Sequence, residues 1–332
     1  MTYAKLGAAV LFGFATLLSP AAAQEVTWRA TTIYPEASNS GAAFEAMAAK
    51  LAEASGGRME LQLNPGGALG FSNGDNFEIV GTGVIEVAET LTGALVGVNP
   101  LFGATSLPFL VSGDADTQAM MVAVTPTFDA IFEGSDQLML GWGAFPAVGV
   151  FADRPIATTG DFANLKLRTF DSFSAEAMQT LGATPVQLPF SEAVTALSSG
   201  VVDGLLTSTE GGKVISIWDL GISDFTQIVY STPVTVLHIN RSAFEGLDAD
   251  LQAAVLAAGD AFTQTHWNEG RERVAENLTL LSENGVAVHE SVSAELQAAF
   301  EQIRSETAAS WAQENGPDAA ALLTTINAAL AE

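Results

Sequence analysis

The chain has 332 residues, no cysteine, and 12 Lys and Arg against 38 Asp and Glu, a formal charge of −26. Without cysteine there is no disulfide framework, no thiol catalysis and no thiolate metal site, so the fold rests on its core. The acidic excess excludes nucleic acid and anionic lipid as partners, because both require dense Lys and Arg contacts. It also repels a small anion at long range, so capture of one needs a local cation.

Lys5, the apolar run 6–18 and Pro20-Ala21-Ala22-Ala23 read as an export signal cleaved near Ala23, placing the mature chain outside the cytoplasm. The run is too short to span a bilayer and no later segment is long and charge-free, so a membrane-embedded role is not expected. Removing 23 residues leaves 309, with 11 basic against 38 acidic, enough for two domains. Residues 26–32 read as a strand. A helix follows with apolar Phe44, Met47, Ala48, Leu51 and Ala52 at i, i+3, i+4, i+7 and i+8, capped by Asn39 or Ser40 and ended by Gly56-Gly57. Met59-Glu60-Leu61-Gln62-Leu63 alternates as a second strand, which makes a strand-helix-strand unit with parallel pairing and an α/β class.

Gly70-Phe71-Ser72-Asn73-Gly74 matches Gly-x-Ser-x-Gly, the nucleophile elbow of serine hydrolases, with His238, His266 and His289 downstream. A true elbow needs a strand running straight into the serine. Here Pro65-Gly66-Gly67 intervenes, so the stretch reads better as a loop entering a helix from Asp75, with Ser72 and Asn73 near a pocket. A secreted hydrolase using Ser72 stands as the alternative reading. The three histidines are far apart and lack zinc-ligand spacing, and no phosphate-binding loop is present, so no metal or other cofactor is expected.

Residues 83–90 (GVIEVAET) align without gaps with 200–207 (GVVDGLLT). Each stretch follows a short helix, turns at glycine and delivers a threonine at a strand end, as two lobes of like topology facing one cleft would. Between them, Leu165-Lys166-Leu167-Arg168-Thr169-Phe170 alternates as a half-buried strand that sets Arg168 beside Phe170. In a chain this poor in cations, Arg168 either grips a ligand carboxylate or makes a structural salt bridge. A helix over 172–181, a strand over 184–188 ended by Pro189, a strand over 234–239 carrying His238, and a helix over 247–284 follow. A short strand over 286–289 and closing helices over 293–310 and 318–331 complete the chain.

The Leu165-Lys166-Leu167-Arg168 block, with the run 188–204 (LPFSEAVTALSSGVVDG), resembles the signature of the solute-binding proteins of tripartite ATP-independent periplasmic (TRAP) transporters. Ser106-Leu107-Pro108-Phe109 and Arg154-Pro155-Ile156 extend the likeness more loosely. The resemblance implies a two-lobed periplasmic-binding-protein fold, each lobe a mixed sheet flanked by helices and a long C-terminal helix bridging them. Lobe I would span 24–145 with 233–270 returning to it. Lobe II would span 146–232 with the helices of 271–332 packed on it. The protein would be a periplasmic monomer and no enzyme, closing on an organic anion and passing it to small and large membrane subunits. A receptor for a membrane sensor would need the same clamp.

By that resemblance Arg168 pairs with the ligand carboxylate, and residues after Val202-Asp203-Gly204 line the pocket. The chain departs from the commoner pattern there, with hydroxyls at Thr207 and Ser208 in place of an amide, and at Gly143-Ala144-Phe145-Pro146, where relatives carry a second basic or amide side chain. One cation favours a monocarboxylate, aromatic or a short hydroxy or oxo acid, since a second charge would be poorly compensated in a desolvated cleft. Phe145 and Phe170 would form apolar walls, and Thr90, Thr92 and Tyr34 would face Arg168, Thr207 and Ser208 from the other lobe.

Overall fold

The computed structural model describes residues 25–331; the expected export signal over 1–23 lies outside them. The strands are β1 Val26–Thr31, β2 Met59–Asn64, β3 Val87–Leu91, β4 Gln137–Ala144, β5 Val148–Ala152, β6 Lys166–Thr169, β7 Thr184–Gln187, β8 Gly204–Ser208, β9 Asp224–Thr226, β10 Val234–Asn240 and β11 Ala287–His289. The α-helices are α1 Asn39–Ala54, α2 Asn73–Gly81, α3 Asp114–Glu133, α4 Ser172–Thr180, α5 Ala193–Ser198, α6 Thr209–Val214, α7 Arg241–Glu245, α8 Ala249–Glu283, α9 Ala294–Glu314 and α10 Gly316–Leu330.

Two mixed sheets result, one ordered β2-β1-β3-β10-β4 and the other β11-β9-β5-β8-β6-β7. The chain passes between them at 145–147 and again at 227–233. The two crossings run side by side, held where Phe145 N donates to Pro233 O, Val148 N to Ser231 O and Tyr230 N to Val148 O, each at 2.9 Å. The internal similarity has a structural counterpart. Gly83 and Gly200 take left-handed φ of +71° and +70°, which a side chain would strain. Four residues later β3 and β8 begin, each between a parallel neighbour (β1, β6) and an antiparallel one (β10, β5). Ile85 and Val202 are buried, while Val84 and Val201 face solvent.

Helix α8, 35 residues and so roughly 50 Å long, joins the lobes. Its first half (Leu251, Val255, Ala258, Phe262) packs with Phe44 and Met47 of α1, and Leu281 near its end packs with Phe151 and Phe225 of the second lobe. The placement of 271–332 on lobe II needs correction for its last part. Leu296, Phe300 and Ile303 of α9 do join the second lobe, but Trp311 and then Ala319, Leu322 and Ile326 of α10 pack on α3 in the first. The cause is apolar surface: α3 brings Met120, Met121, Val124 and Phe128 to that face, and α10 covers them.

One buried polar knot ties the first sheet to α1 and α8. The Glu89 carboxylate on β3 accepts from Thr32 Oγ1 (2.7 Å), Ser40 Oγ (2.9 Å) and Thr235 Oγ1 (2.8 Å), and lies 3.2 Å from His266 Nε2 on α8. Burial pushes its pKa up, but His266 and the hydroxyls outweigh burial and hold it below the ordinary 4.5. A carboxylate depressed on folding contributes stability above pH 4.5 that is lost as pH falls through the folded value. Glu89→Gln should therefore cost about 2–4 kcal/mol at neutral pH. Urea denaturation as a function of pH should also show a shallower acid limb than in the wild type.

Candidate functional site

A cavity of about 760 Å³ opens between the lobes at the strand ends. Arg168, at the end of β6, is only 3% exposed and lines it. Its Nε donates to Leu188 O at 2.9 Å and its Nη1 reaches Leu206 O at 3.5 Å, while its Cζ lies 5.9 Å from the ring centres of both Phe170 and Phe190. Among the described residues no Asp or Glu oxygen lies within 4.0 Å of the guanidinium. The structural salt-bridge reading of Arg168 thus finds no partner. Burial pushes its pKa down to about 10, against the pull of Tyr34 and Asp171, so it stays charged at neutral pH. Asp171 attracts it from a distance but makes no ion pair with it. That carboxyl is buried, which raises its pKa, and its Oδ1 caps α4 by accepting from Ser174 N at 2.8 Å.

The sequence-predicted residues divide clearly. Arg168, Phe170, Thr207, Ser208, Phe145, Tyr34, Ser72 and Asn73 all line the cavity. Thr207, at the end of β8, pairs with Gly149 of β5 through its backbone, and its hydroxyl has no hydrogen-bond partner among the described residues. Ser208 Oγ accepts from Gly211 N at 3.2 Å, capping α6 and leaving its own proton to donate. Across the cleft Tyr34 packs on Phe145 with ring centres 4.6 Å apart, and Phe145 stands edge-on to His266 at 5.2 Å. Burial, then the charge of Glu89, raises the Tyr34 pKa, which keeps its hydroxyl a proton donor.

Thr90 and Thr92 do not reach the cleft. Thr90 Oγ1 bonds His238 Nε2 at 2.8 Å, and Thr92 Oγ1 donates to Val234 O at 3.0 Å and meets Thr105 Oγ1 at 2.7 Å, all buried. Ser72 caps α2, with its Oγ donating to Asp75 Oδ2 at 2.7 Å. No histidine is hydrogen-bonded to it, since His238 is held by Thr90 and Gln137, His266 by Asn39, Ser40 and Glu89, and His289 by Asp224. The hydrolase alternative therefore lacks its base. The sequence reading missed Phe190, Ser38 and Glu210 as lining residues. Phe190 carries the same signal as Phe170, an aromatic just past a strand end. Ser38 and Glu210 carry none.

Two sheet-based lobes, a doubled crossing and one uncompensated cation in the interlobe cleft define a solute receptor of the periplasmic-binding-protein class. The chain belongs to the bacterial extracellular solute-binding protein family 7 (DctP), whose model matches residues 30–314. These are the periplasmic receptors of TRAP transporters, which bind small molecules and work with membrane permease subunits, and they are not enzymes. The chain is 25% identical over 335 aligned positions to the ectoine/5-hydroxyectoine-binding periplasmic protein UehA of Ruegeria pomeroyi, covering 98% of this chain and 96% of that one. It superposes on DctP7 of Bordetella pertussis, an extracytoplasmic solute receptor binding pyroglutamic acid, with a TM-score of 0.86 at 24% identity, over 91% of this chain and 99% of that one. A Chromohalobacter salexigens TRAP solute-binding protein with bound D-glucuronate gives 0.84 at 21% identity, again over 91% and 99%. No helix among the described residues is long and apolar enough to cross a membrane.

A buried cation without a counter-ion lowers the stability of the empty protein. Arg168→Met, which fills the same space between two phenyl rings, should raise the stability of the ligand-free chain by at least about 1 kcal/mol. Chemical denaturation of the ligand-free protein checks this. An unchanged or lowered midpoint would mean that Arg168 is compensated within the protein.

Proposed function

We propose that this receptor captures a compact organic monocarboxylate, a small cyclic or aromatic acid or a short hydroxy or oxo acid, and delivers it to the small and large membrane subunits of a TRAP transporter. The observation that carries the reading is the Arg168 guanidinium, buried at the cleft and unpaired with any described carboxylate. A ligand carboxylate supplies the missing charge and the acceptors for its free N–H groups. Thr207 and Ser208 bind a second polar substituent, while Phe145, Phe170 and Phe190 enclose the apolar body. Closure follows because the ligand satisfies groups of both lobes at once, with Tyr34 and Asn73 on the facing wall.

A dicarboxylate is disfavoured because, among the described residues, Arg168 is the one cation lining the cleft, which Glu192 and Glu210 also border. The compounds named for the neighbours support a single carboxylate: pyroglutamic acid, D-glucuronate and ectoine each carry one on a ring.

Thermal shift and calorimetry against pyroglutamate, D-glucuronate, benzoate, lactate, succinate and malate test the reading. At least one monocarboxylate should raise the melting temperature more than either dicarboxylate. Arg168→Ala should weaken its binding at least about hundredfold, and Arg168→Lys nearly as much through lost two-pronged geometry. Equal affinity in Arg168→Ala, or preference for a dicarboxylate, would overturn it. Since the mature chain carries 11 basic against 38 acidic residues, the association rate with an anion should rise with added salt, as screening relieves long-range repulsion. Stopped-flow fluorescence across a salt series checks this.

A further inference from the structure

Glu210 raises a problem that the rest of the cleft does not solve. It lies just beyond Ser208, is 1% exposed, and borders the same cavity that is to receive an anion. Left uncompensated, its carboxylate would oppose Arg168. The compensation comes from α8. Asn277 Nδ2 donates to Glu210 Oε2 at 2.8 Å, and Arg273 Nη1 approaches Oε1 at 3.3 Å. The same Nη1 donates to Ala37 O at 3.1 Å, in the first-lobe loop that carries Tyr34, Pro35 and Ser38 to the cleft. Arg273 Nε meanwhile pairs with Glu269, one turn back on α8. One guanidinium nitrogen thus touches both walls, the second-lobe segment with Thr207 and Ser208 and the first-lobe segment with Tyr34.

We propose that Arg273 is a positioning residue for anion capture: braced against Ala37 O of the facing wall, it neutralises Glu210, the buried carboxylate of the cavity lining, so that Glu210 does not oppose Arg168. Its role is exerted through Glu210 and not on the ligand. The inference rests on the carboxylate reading above. It adds that the cation deciding whether an anion is accepted includes one outside the pocket lining.

The test is a double-mutant cycle read by calorimetric titration with pyroglutamate, and with D-glucuronate as a second probe. Arg273→Ala should weaken binding about tenfold or more, the effect of one unpaired charge several ångströms from an anion in a partly desolvated site. Glu210→Gln alone should change affinity by less than about threefold, and the double variant should return to within about threefold of wild type, because the buried carboxylate bordering the cavity is gone, while Glu269, which also loses Arg273, does not line it. Arg273→Lys keeps the charge and should stay within about threefold as well. Arg273→Ala that binds as wild type does, a double variant as weak as Arg273→Ala, or Arg273→Lys as weak as Arg273→Ala would each overturn the inference while leaving the carboxylate reading intact. A wild-type protein that binds no acid of the panel would overturn the carboxylate reading, and this inference with it.

Discussion

The structure turns on a guanidinium placed where water is scarce and where no carboxylate among the described residues pairs with it directly. Arg168 is held by backbone carbonyls and flanked by two phenyl rings, in a chain with 38 acidic residues and ample means to pair it. Dipoles and ring faces soften the desolvation of the ion without cancelling its charge. The empty receptor carries that cost, and on the proposed function a ligand carboxylate would remove it. The neighbouring carboxyls are kept out of the way by their own bonds. Asp171 caps α4 and has its pKa raised by burial, and Glu210 is turned to Arg273 and Asn277.

The two-lobed frame gives this cation its reach. Strands β3 and β8 begin four residues after matching left-handed glycines and occupy matching places in their sheets. Their threonines have nonetheless diverged in use. Thr90 spends its hydroxyl on His238, whose pKa burial lowers to about 3, so the neutral ring accepts from Thr90 while its other nitrogen donates to Gln137. Thr207 has no such neighbour and opens to the cleft. One lobe uses the strand end to lock its sheet, and in the other the strand end lines the cavity. The Glu89 knot backs the first-lobe wall, since His266, which it holds, stands edge-on to Phe145, and Phe145 packs on Tyr34.

Much of this was legible in the sequence because it is periodic or scarce. Alternation gave the strand under Arg168, heptad-like spacing gave α1 and the length of α8, and the rarity of cations drew attention to Arg168 itself. The helix α3 was not legible: Pro126 lies inside it, and a proline in mid-pattern reads as a break unless packing overrides it. Helix α10 was assigned to the wrong lobe because an amphipathic face does not say which surface covers it. Thr90 and Thr92 failed for a related reason, since strand order tells where a side chain ends but not whether another strand's histidine or carbonyl already claims it. Ser72 reads in the sequence as part of a loop entering a helix, and Ser72-x-x-Asp75, a helix-capping pattern, gives that reading its physical reason. The pairing of Arg273 with Glu210 spans 63 positions and two lobes, and nothing local announces it.

The most direct test of the account is a crystal structure of the mature chain, refolded free of copurified solute and grown with the acid that binds it best. The account predicts one ligand carboxylate in contact with the Arg168 guanidinium through two roughly parallel hydrogen bonds of about 2.8 Å, with the Thr207 or Ser208 hydroxyl on a neighbouring polar atom. A ligand whose carboxylate lies elsewhere, or an Arg168 that turns to pair with Asp171 or Glu210 when the lobes close, would contradict it.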